Sequence, residues 1–293
     1  MFQHLTAPVF ALTVSLILAP TVFAPTVFAQ TAPADPTTIT QSPATQLFAA
    51  LRLPEILGVM RQEGITYGAK IGEGLFPTGA LDPDFTADVA AIYDLDRMQA
   101  QSAAAFDQEL AGTDVAAMLA FFTSEPGQSF SALELSARTA QLDEEISAAS
   151  KETAAIAMAE NSPRYQLIQR LADANDMIEI NVVAALNSNY AFYQGLQQGG
   201  ATQPGVTDDE VLASVWDQET EIRQTTTEWV MSFLLMAYQP LSDSDLEAYI
   251  AFSQTPAGKD LNRAVFNAFD QMFIDISRSL GVTSSRYMIS DTL

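Results

Sequence analysis

The chain has 293 residues, of which 36 are acidic, 13 are basic, one is histidine and none is cysteine. The lack of cysteine excludes disulfides, thiol nucleophiles, thiolate metal sites and a lipid anchor on cysteine. The net charge of −23 argues against a nucleic-acid partner, because phosphate backbones repel acidic surfaces. A hydrophobic content of 48 % is enough for a globular core.

The N-terminal segment has the features of a secretory signal peptide. Residues 7–29 carry no charge, and their centre is a continuous apolar run. Small residues near Ala29 fit a cleavage site that would leave Gln30 as the new N-terminus. The sequence therefore predicts a periplasmic protein of the bacterial envelope, cleaved after Ala29.

A retained membrane anchor is the alternative to cleavage, and it would be the only source of membrane contact. Pro20 and Pro25 argue against an anchor, because they interrupt the continuous helix that would be needed to span a membrane. Cleavage would also remove His4, the single histidine, and with it imidazole chemistry. Residues 30–44 are rich in proline, threonine and alanine, which predicts a flexible linker.

Helix signals recur after the linker, and strand signals are nearly absent. Asp82-Pro83 is expected to begin one helix and either Thr113 or Asp114 another, and capping boxes are predicted at residues 207–210 and 244–247. Between these starts, apolar residues recur at helical spacing. We expect about eight to ten helices joined by short turns, in an all-α, bundle-like fold.

An internal repeat organises these helices. Residues 110–130 and 241–261 align without a gap at an offset of 131. Six pairs are identical: Leu110/Leu241, Asp114/Asp245, Ala117/Ala248, Ala120/Ala251, Phe121/Phe252 and Gly127/Gly258. The alignment divides the chain into repeat 1 (45–135), a connecting helix (136–164), repeat 2 (165–266) and a C-terminal helix end with a tail (267–293).

Each repeat contains the same helix–corner–helix motif. A phenylalanine near the end of one helix is followed by a hydroxyl residue, which is expected to cap the next helix. A proline fits within that helix's first turn, and a glycine allows a neighbouring helix to approach closely. The motif residues are Phe121, Ser124, Pro126 and Gly127 in repeat 1, and Phe252, Thr255, Pro256 and Gly258 in repeat 2. Their expected role is structural.

The corner sequences AFFTSEPGQ and AFSQTPAGK resemble the bacterial domain-of-unknown-function family numbered 2059. Residues 255–258 match the family's Ser/Thr-Pro-x-Gly pattern well, whereas residues 124–127 shift the proline by one place. The resemblance implies an exported, mostly helical protein. It implies no known activity, substrate or catalytic residue.

Without histidine and cysteine, the mature chain would be left with carboxylates, three lysines and hydroxyl groups for catalysis. Paired carboxylates can hydrolyse glycosidic bonds, and the visible acidic clusters are residues 144–145, residues 208–210 and Asp243 with Asp245. The last two clusters lie where helix N-termini attract anions, and the alternative role for each cluster is a helix cap or a solvated face. No Ser-x-x-Lys motif and no complete calcium loop occur. We therefore predict no catalytic residue, no metal site and no cofactor.

Trp216, Trp229, Phe233 and Tyr238 are predicted to lie on one long helix with several methionines. Such a helix either forms the core of repeat 2 or borders a groove, since methionine-rich surfaces adapt to varied partners. The sequence thus favours a non-enzymatic helical protein that binds a partner protein or an apolar ligand. A carboxylate-dependent hydrolase of envelope glycans is the alternative.

Overall fold

The computed structural model describes residues 41–75, 82–202 and 205–290, and this part of the chain is all-helical. The expected signal peptide and most of the linker lie outside the described residues. The helices are α1 Pro43–Ala50, α2 Leu53–Leu75, α3 Pro83–Ile92, α4 Leu95–Glu109, α5 Val115–Phe122, α6 Glu125–Ala140, α7 Glu144–Ala159, α8 Pro163–Ala174, α9 Met177–Gln198, α10 Asp208–Trp216, α11 Glu219–Ala237, α12 Asp243–Ser253 and α13 Pro256–Ser290.

The all-α class is confirmed, but the described part holds thirteen helices rather than eight to ten. Two stretches that look continuous in sequence are broken. One break separates α6 from α7, where Asp143 caps the new helix by accepting from the amides of Glu145 and Ile146. The other separates α10 from α11. Neither break contains glycine or proline, so sequence alone gave little sign of them.

Most of the predicted helix starts are confirmed by their hydrogen bonds. Asp82 and Asp114 are the N-caps of α3 and α5, and Thr207 forms a capping box with Glu210 at α10. The box expected to begin at Ser244 is wrong by two residues. Ser242 is the cap of α12, and its hydroxyl accepts from the amide of Asp245 at 3.2 Å.

The two halves of the chain present their helices in the same order. Helices α1–α6 form the first half, α7 follows, and α8–α13 form the second half. In each half, the first, third and fifth helices are short, and each is followed by a longer helix. The predicted repeat boundaries at 135 and 266 fall inside α6 and α13. The segment 136–164 holds the end of α6, all of α7 and the first residues of α8.

The last helix of each half packs into the core of the other half. Helices α1–α5 share a core with α13, whose Leu261, Phe269, Met272 and Ile276 are buried in it. Helices α8, α11 and α12 share a core with α6, which contributes Phe130. Apolar burial is the main source of stability, so each half depends on a helix that the other supplies. We call this arrangement the helix exchange.

Helices α9 and α13 approach each other very closely along part of their length. A Cβ atom placed on Gly195 would lie 2.2 Å from the carbonyl oxygen of Arg278, and one on Gly281 would lie 2.1 Å from that of Phe192. Only glycine permits the two backbones to lie this close. The contact fixes the C-terminal part of α13 beside the end of α9.

Candidate functional site

The two predicted corners have the same hydrogen bonds. Ser124 is the N-cap of α6 and accepts from the amide of Gly127 at 3.4 Å, and Thr255 accepts from the amide of Gly258 at 3.0 Å. Each hydroxyl also donates to the carbonyl oxygen of the phenylalanine three residues earlier. The prediction that Ser124 and Thr255 cap the following helices is confirmed.

The corner glycines lie directly against the backbone of the preceding helix. A Cβ atom on Gly127 would lie 2.0 Å from the carbonyl oxygen of Phe121, and one on Gly258 would lie 2.2 Å from that of Phe252. These distances are far below van der Waals contact, so a side chain would force the corner open. Close approach is therefore the physical reason for glycine at both positions.

The two corners meet through their phenylalanines. The rings of Phe121 and Phe252 stack at a centroid distance of 4.0 Å and an interplanar angle of 9°. Phe130 and Tyr249 stack beside them at 4.3 Å. Aromatic contacts of this kind stabilise beyond the area they bury. Phe121 and Phe252 are therefore the motif residues shown to connect the two halves, and the capping bonds of Ser124 and Thr255 stay within their own corners.

A buried charged cluster lies on α6 near this junction. Arg138, whose side chain is 2 % exposed, donates to both carboxylate oxygens of Glu63 on α2, at 3.1 and 2.6 Å. One turn before it, the buried Glu134 accepts from the hydroxyl of Tyr238. Burial, and then the nearby Glu134 carboxylate, raises the pKa of Tyr249. The cluster links α2, α6 and the end of α11.

This cluster has the two carboxylates that a glycosidase needs, but it lacks room for a sugar. Both oxygens of Glu63 are occupied by one guanidinium group. Glu134 lines a void of about 60 Å³, which has space for water molecules only. Glycosidases place their two carboxylates across a cleft that accepts the substrate. The arrangement therefore supports packing and ion pairing rather than hydrolysis.

The acidic clusters expected from sequence lie at helix starts. Residues 144–145 and residues 208–210 form the exposed first turns of α7 and α10, where the helix dipole favours negative charge. Asp243 accepts from Arg164 at 2.5 Å, and Asp245 completes the capping box of α12. Within the described residues, no three of these side chains are grouped to hold a metal ion.

The aromatic helix predicted around the two tryptophans is divided between α10 and α11. Trp216 ends α10 and is 56 % exposed, whereas Phe233 and Tyr238 are fully buried in the second core. Trp229 stacks on Phe233 at 5.1 Å and lies under the guanidinium of Arg138. The aromatic residues that belong to α11 therefore serve the core, and they do not line a groove.

A groove does lie between α7 and α11, on another face of α11. Its volume is about 530 Å³, a size typical of small-molecule sites. Most of the surface exposed inside the groove is apolar, and Tyr165 of α8 lies beside the two helices. The other residues around it are Lys151, Ala154, Ala155 and Met158 of α7 and Thr220, Arg223, Gln224, Thr227, Glu228 and Met231 of α11. We call it the α7–α11 groove.

The charged residues of this groove are paired with one another or with neighbours. Lys151 lies 4.0 Å from Glu228 across the groove. Arg223 donates to Glu179 at 2.7 Å and to Glu219 at 2.6 Å. The hydrogen bond from Arg223 holds the pKa of the Glu179 carboxyl below its usual range. The lining thus carries no large excess of charge, which suits an apolar occupant.

Helix α7 also exposes large apolar side chains to solvent. These side chains are Leu142 in the preceding turn and Ile146, Ile156 and Met158 on the helix, and they are 37–55 % exposed. They are four of the seven exposed large hydrophobic residues in the described part of the chain. Exposed apolar side chains of this size can form part of a contact surface. Sequence analysis did not identify these exposed side chains, because helical spacing alone does not show which apolar residues stay uncovered.

None of the described helices is both long and apolar enough to cross a bilayer. Comparison of the chain with protein-family models, with curated proteins and with solved structures finds no match. The resemblance to the family numbered 2059 therefore stays a prediction that rests on the corner motif alone.

Proposed function

We propose that this chain is an exported, non-enzymatic protein of the bacterial envelope that binds an elongated apolar ligand in the α7–α11 groove. The observation that carries the proposal is the groove itself, which is about 530 Å³ in volume and mainly apolar. Alanines on one wall leave space, and flexible methionines on both walls adapt to the shape of a ligand. Support for export comes from residues 1–29 alone.

Calorimetric titration with dodecanoate and with its uncharged methyl ester tests this proposal. We expect both to bind with similar affinity, because the cations of the groove are already paired with carboxylates. Ala155, which is exposed and lines the groove, is the site for a blocking substitution. Ala155→Phe would displace about two methylene groups, which costs about 1.6 kcal/mol or slightly more than tenfold in Kd.

Ala149→Phe is the matched control, because Ala149 is an exposed alanine of the same helix that does not line the groove. It should bind both ligands as the wild type does. Equal affinities in the two variants would show that the groove is not the binding site. Absence of binding to the wild-type protein would overturn the proposal for apolar ligands.

A partner protein is the second candidate occupant, favoured by the exposed apolar side chains of α7. An amphipathic helix could cover Ile146 and Ile156, which are separated by about 15 Å along the helix axis. The double variant Ile146→Lys/Ile156→Lys should then lose a partner that wild-type protein retains from the envelope fraction. Retention by both proteins would argue against this surface.

Hydrolysis of envelope glycans is the remaining alternative, and Glu63 of α2 and Glu134 of α6, both near Arg138, are its candidate carboxylates on different helices. Incubation of the protein with purified envelope glycans should release no reducing ends. Release that is abolished by both Glu63→Gln and Glu134→Gln would replace binding by catalysis as the proposed function.

A further inference from the structure

Helix α7 buries small side chains and leaves its larger apolar ones in solvent. Its buried residues are Ser150 and Ala154. A different face of the helix is exposed along its whole length, and it consists of Leu142 in the preceding turn with Ile146, Ala149, Thr153 and Ile156 on the helix. An amphipathic helix normally turns its larger apolar side chains toward the core. We call this exposed face the α7 stripe.

The spacing of the α7 stripe is that of a coiled-coil seam. Its members follow one another at intervals of four, three, four and three residues, which keeps them on one side of a helix. From Leu142 to Ile156 the stripe extends about 21 Å along the axis, or about four helical turns. A second helix laid along the stripe would therefore meet one of its members at every turn. The shape fits a helix of about 15 residues or more.

Acidic residues without ion-pair partners border the stripe. Glu145 and Glu152 are seven residues apart and lie along the same edge, and Glu160 follows the C-terminal end of the helix. All three are exposed, and no lysine or arginine in the described part of the chain forms an ion pair with any of them. These carboxylates therefore remain free to pair with cations of a partner.

The lysines close to α7 do not neutralise this edge. Lys151 points into the α7–α11 groove, on the other side of the helix, where it lies 4.0 Å from Glu228. Lys70 of α2 lies 4.0 Å from Glu144, in the first turn of α7 and outside the stripe. The stripe is thus an apolar seam with a negative edge.

The negative edge decides among the possible occupants. A second copy packed antiparallel would place the edge of Glu145 and Glu152 against the same edge of its partner, and a parallel copy would align the two acidic helix starts. Both copies would also carry a net charge of −23. An anionic membrane surface is repelled for the same reason. A helix with basic residues beside its apolar seam has the complementary charge.

We propose that the α7 stripe docks a cationic amphipathic helix of another protein. Its apolar residues would pack on Ile146 and Ile156, and its lysines or arginines would pair with Glu145 and Glu152. The inference rests on the partner protein described above as the second candidate, and it states the class of that partner. It does not depend on a ligand in the α7–α11 groove.

Fluorescence anisotropy with three labelled peptides tests this proposal. The first peptide has three heptads, with leucine at both seam positions and lysine at the positions beside them. The second is a scrambled sequence of the same composition, and the third has glutamate in place of lysine. We expect saturable binding of the first peptide alone. Added salt should weaken this binding, because it screens exposed ion pairs.

Substitutions in the seam test where the peptide binds. Ile146→Lys/Ile156→Lys should lower the affinity for the first peptide at least about tenfold, because two apolar contacts are lost and lysine then faces lysine. Val183→Lys/Leu212→Lys is the matched control. It adds the same charge at apolar residues of α9 and α10 that are 44 % and 40 % exposed, and it should bind as the wild type does.

Substitutions at the edge test the charge complementarity separately. Glu145→Gln/Glu152→Gln should lower the affinity for the first peptide about three- to fivefold, as expected for the loss of two exposed ion pairs. Asp208→Asn/Asp209→Asn removes the same charge from the exposed first turn of α10 and should have little effect. Circular dichroism checks that each variant is folded.

Four results would overturn the proposal. The first is the absence of saturable binding of the cationic amphipathic peptide to the wild-type protein. The second is equal binding of the scrambled or the acidic peptide, which would show that charge or apolar packing acts alone. The third is equal affinity in the wild type and a folded Ile146→Lys/Ile156→Lys variant. The fourth is a wild-type dimer in sedimentation, or binding to phosphatidylglycerol vesicles, that this variant abolishes.

Failure of this proposal can be told apart from failure of ligand binding in the groove. Ala155 lines the groove and is not part of the stripe. Ala155→Phe should therefore weaken dodecanoate binding and leave peptide binding unchanged. Ile146→Lys/Ile156→Lys should have the converse effect.

Discussion

The corner glycines allow a sharp test of how the two halves are joined. In Gly127→Ala, the new Cβ atom would lie 2.0 Å from the carbonyl oxygen of Phe121 and 2.7 Å from the Cα atom of Phe122. Both atoms belong to the backbone, so no side-chain rotation can relieve the contact. The corner must open by about 1 Å, which also disturbs the stacking of Phe121 on Phe252.

The size of the effect follows from two opposing contributions. Alanine in place of glycine stabilises a helix by up to about 1 kcal/mol. Overpacking in a rigid site costs about 1–3 kcal/mol, and a contact with the backbone belongs at the upper end of that range. We expect Gly127→Ala to lower the free energy of unfolding by about 2 kcal/mol. Gly258→Ala should cost a similar amount, because its contacts are nearly the same.

Gly58→Ala is the matched control for both variants. Gly58 lies inside α2, and a Cβ atom there would meet nothing within 4 Å. The same substitution should therefore stabilise the protein by about 0.5–1 kcal/mol. Gly200 in the loop after α9 is unsuitable as a control, because its φ of +81° would be strained for any side chain.

Urea unfolding followed by circular dichroism at 222 nm measures these differences as shifts of the midpoint, provided that the slope is unchanged. The midpoint should fall in the two corner variants and rise in Gly58→Ala. If Gly127→Ala and Gly58→Ala both raise it, the corner has room for a side chain and the reasoning from close approach is wrong. If the urea midpoint falls in only one of the two corner variants, the two corners do not contribute equally to stability.

Other predictions concern charges, export and metals. Burial raises the pKa of Asp270, whose carboxylate accepts a hydrogen bond from Asn187. The folded state therefore binds the Asp270 proton more tightly than the unfolded state does, so the ionised carboxylate destabilises the fold at pH 7. Asp270→Asn should raise the melting temperature at pH 7, and this gain should vanish as the pH falls below about 4, where the carboxyl group is protonated in both states. Arg138→Ala should destabilise the protein by about 3 kcal/mol or more in urea unfolding, because the carboxylate of Glu63 loses its cation. N-terminal sequencing of the exported protein should begin at Gln30, and full-length protein in the membrane fraction would favour an anchor instead. The melting temperature should not change in EDTA at fixed ionic strength, and a fall of several degrees would reveal a structural metal.

The local features of this fold could be predicted because they depend on a few neighbouring residues. The caps at Asp82, Asp114 and Thr207 follow from side chains that bond to amides two or three residues ahead. The corner at Ser124 and Gly127 follows from the same kind of local geometry. The break after α10 was missed because residues 217–218 include no strong helix breaker.

The long-range features could not be read from the sequence. The apolar face of α6 fits a core built from either half, so the spacing around Phe130 does not reveal which half it enters. Arg97 lines one pocket together with Arg278 and Arg286 of α13, which are far away in sequence, and each of the three looks like an ordinary surface residue by itself. Only the helix exchange brings α13 to this place.

The helix exchange also determines when the chain can fold. The hydroxyl of Ser102 contacts the sulfur of Met272, 170 residues later, and Tyr287 contacts Asp88 across 199 residues. Contacts between such distant residues form slowly. Helices α1–α5 therefore keep apolar faces exposed until the last helix has been synthesised. If the chain is exported as its N-terminal segment predicts, this order of assembly would let it cross the membrane before its two halves complete each other's cores.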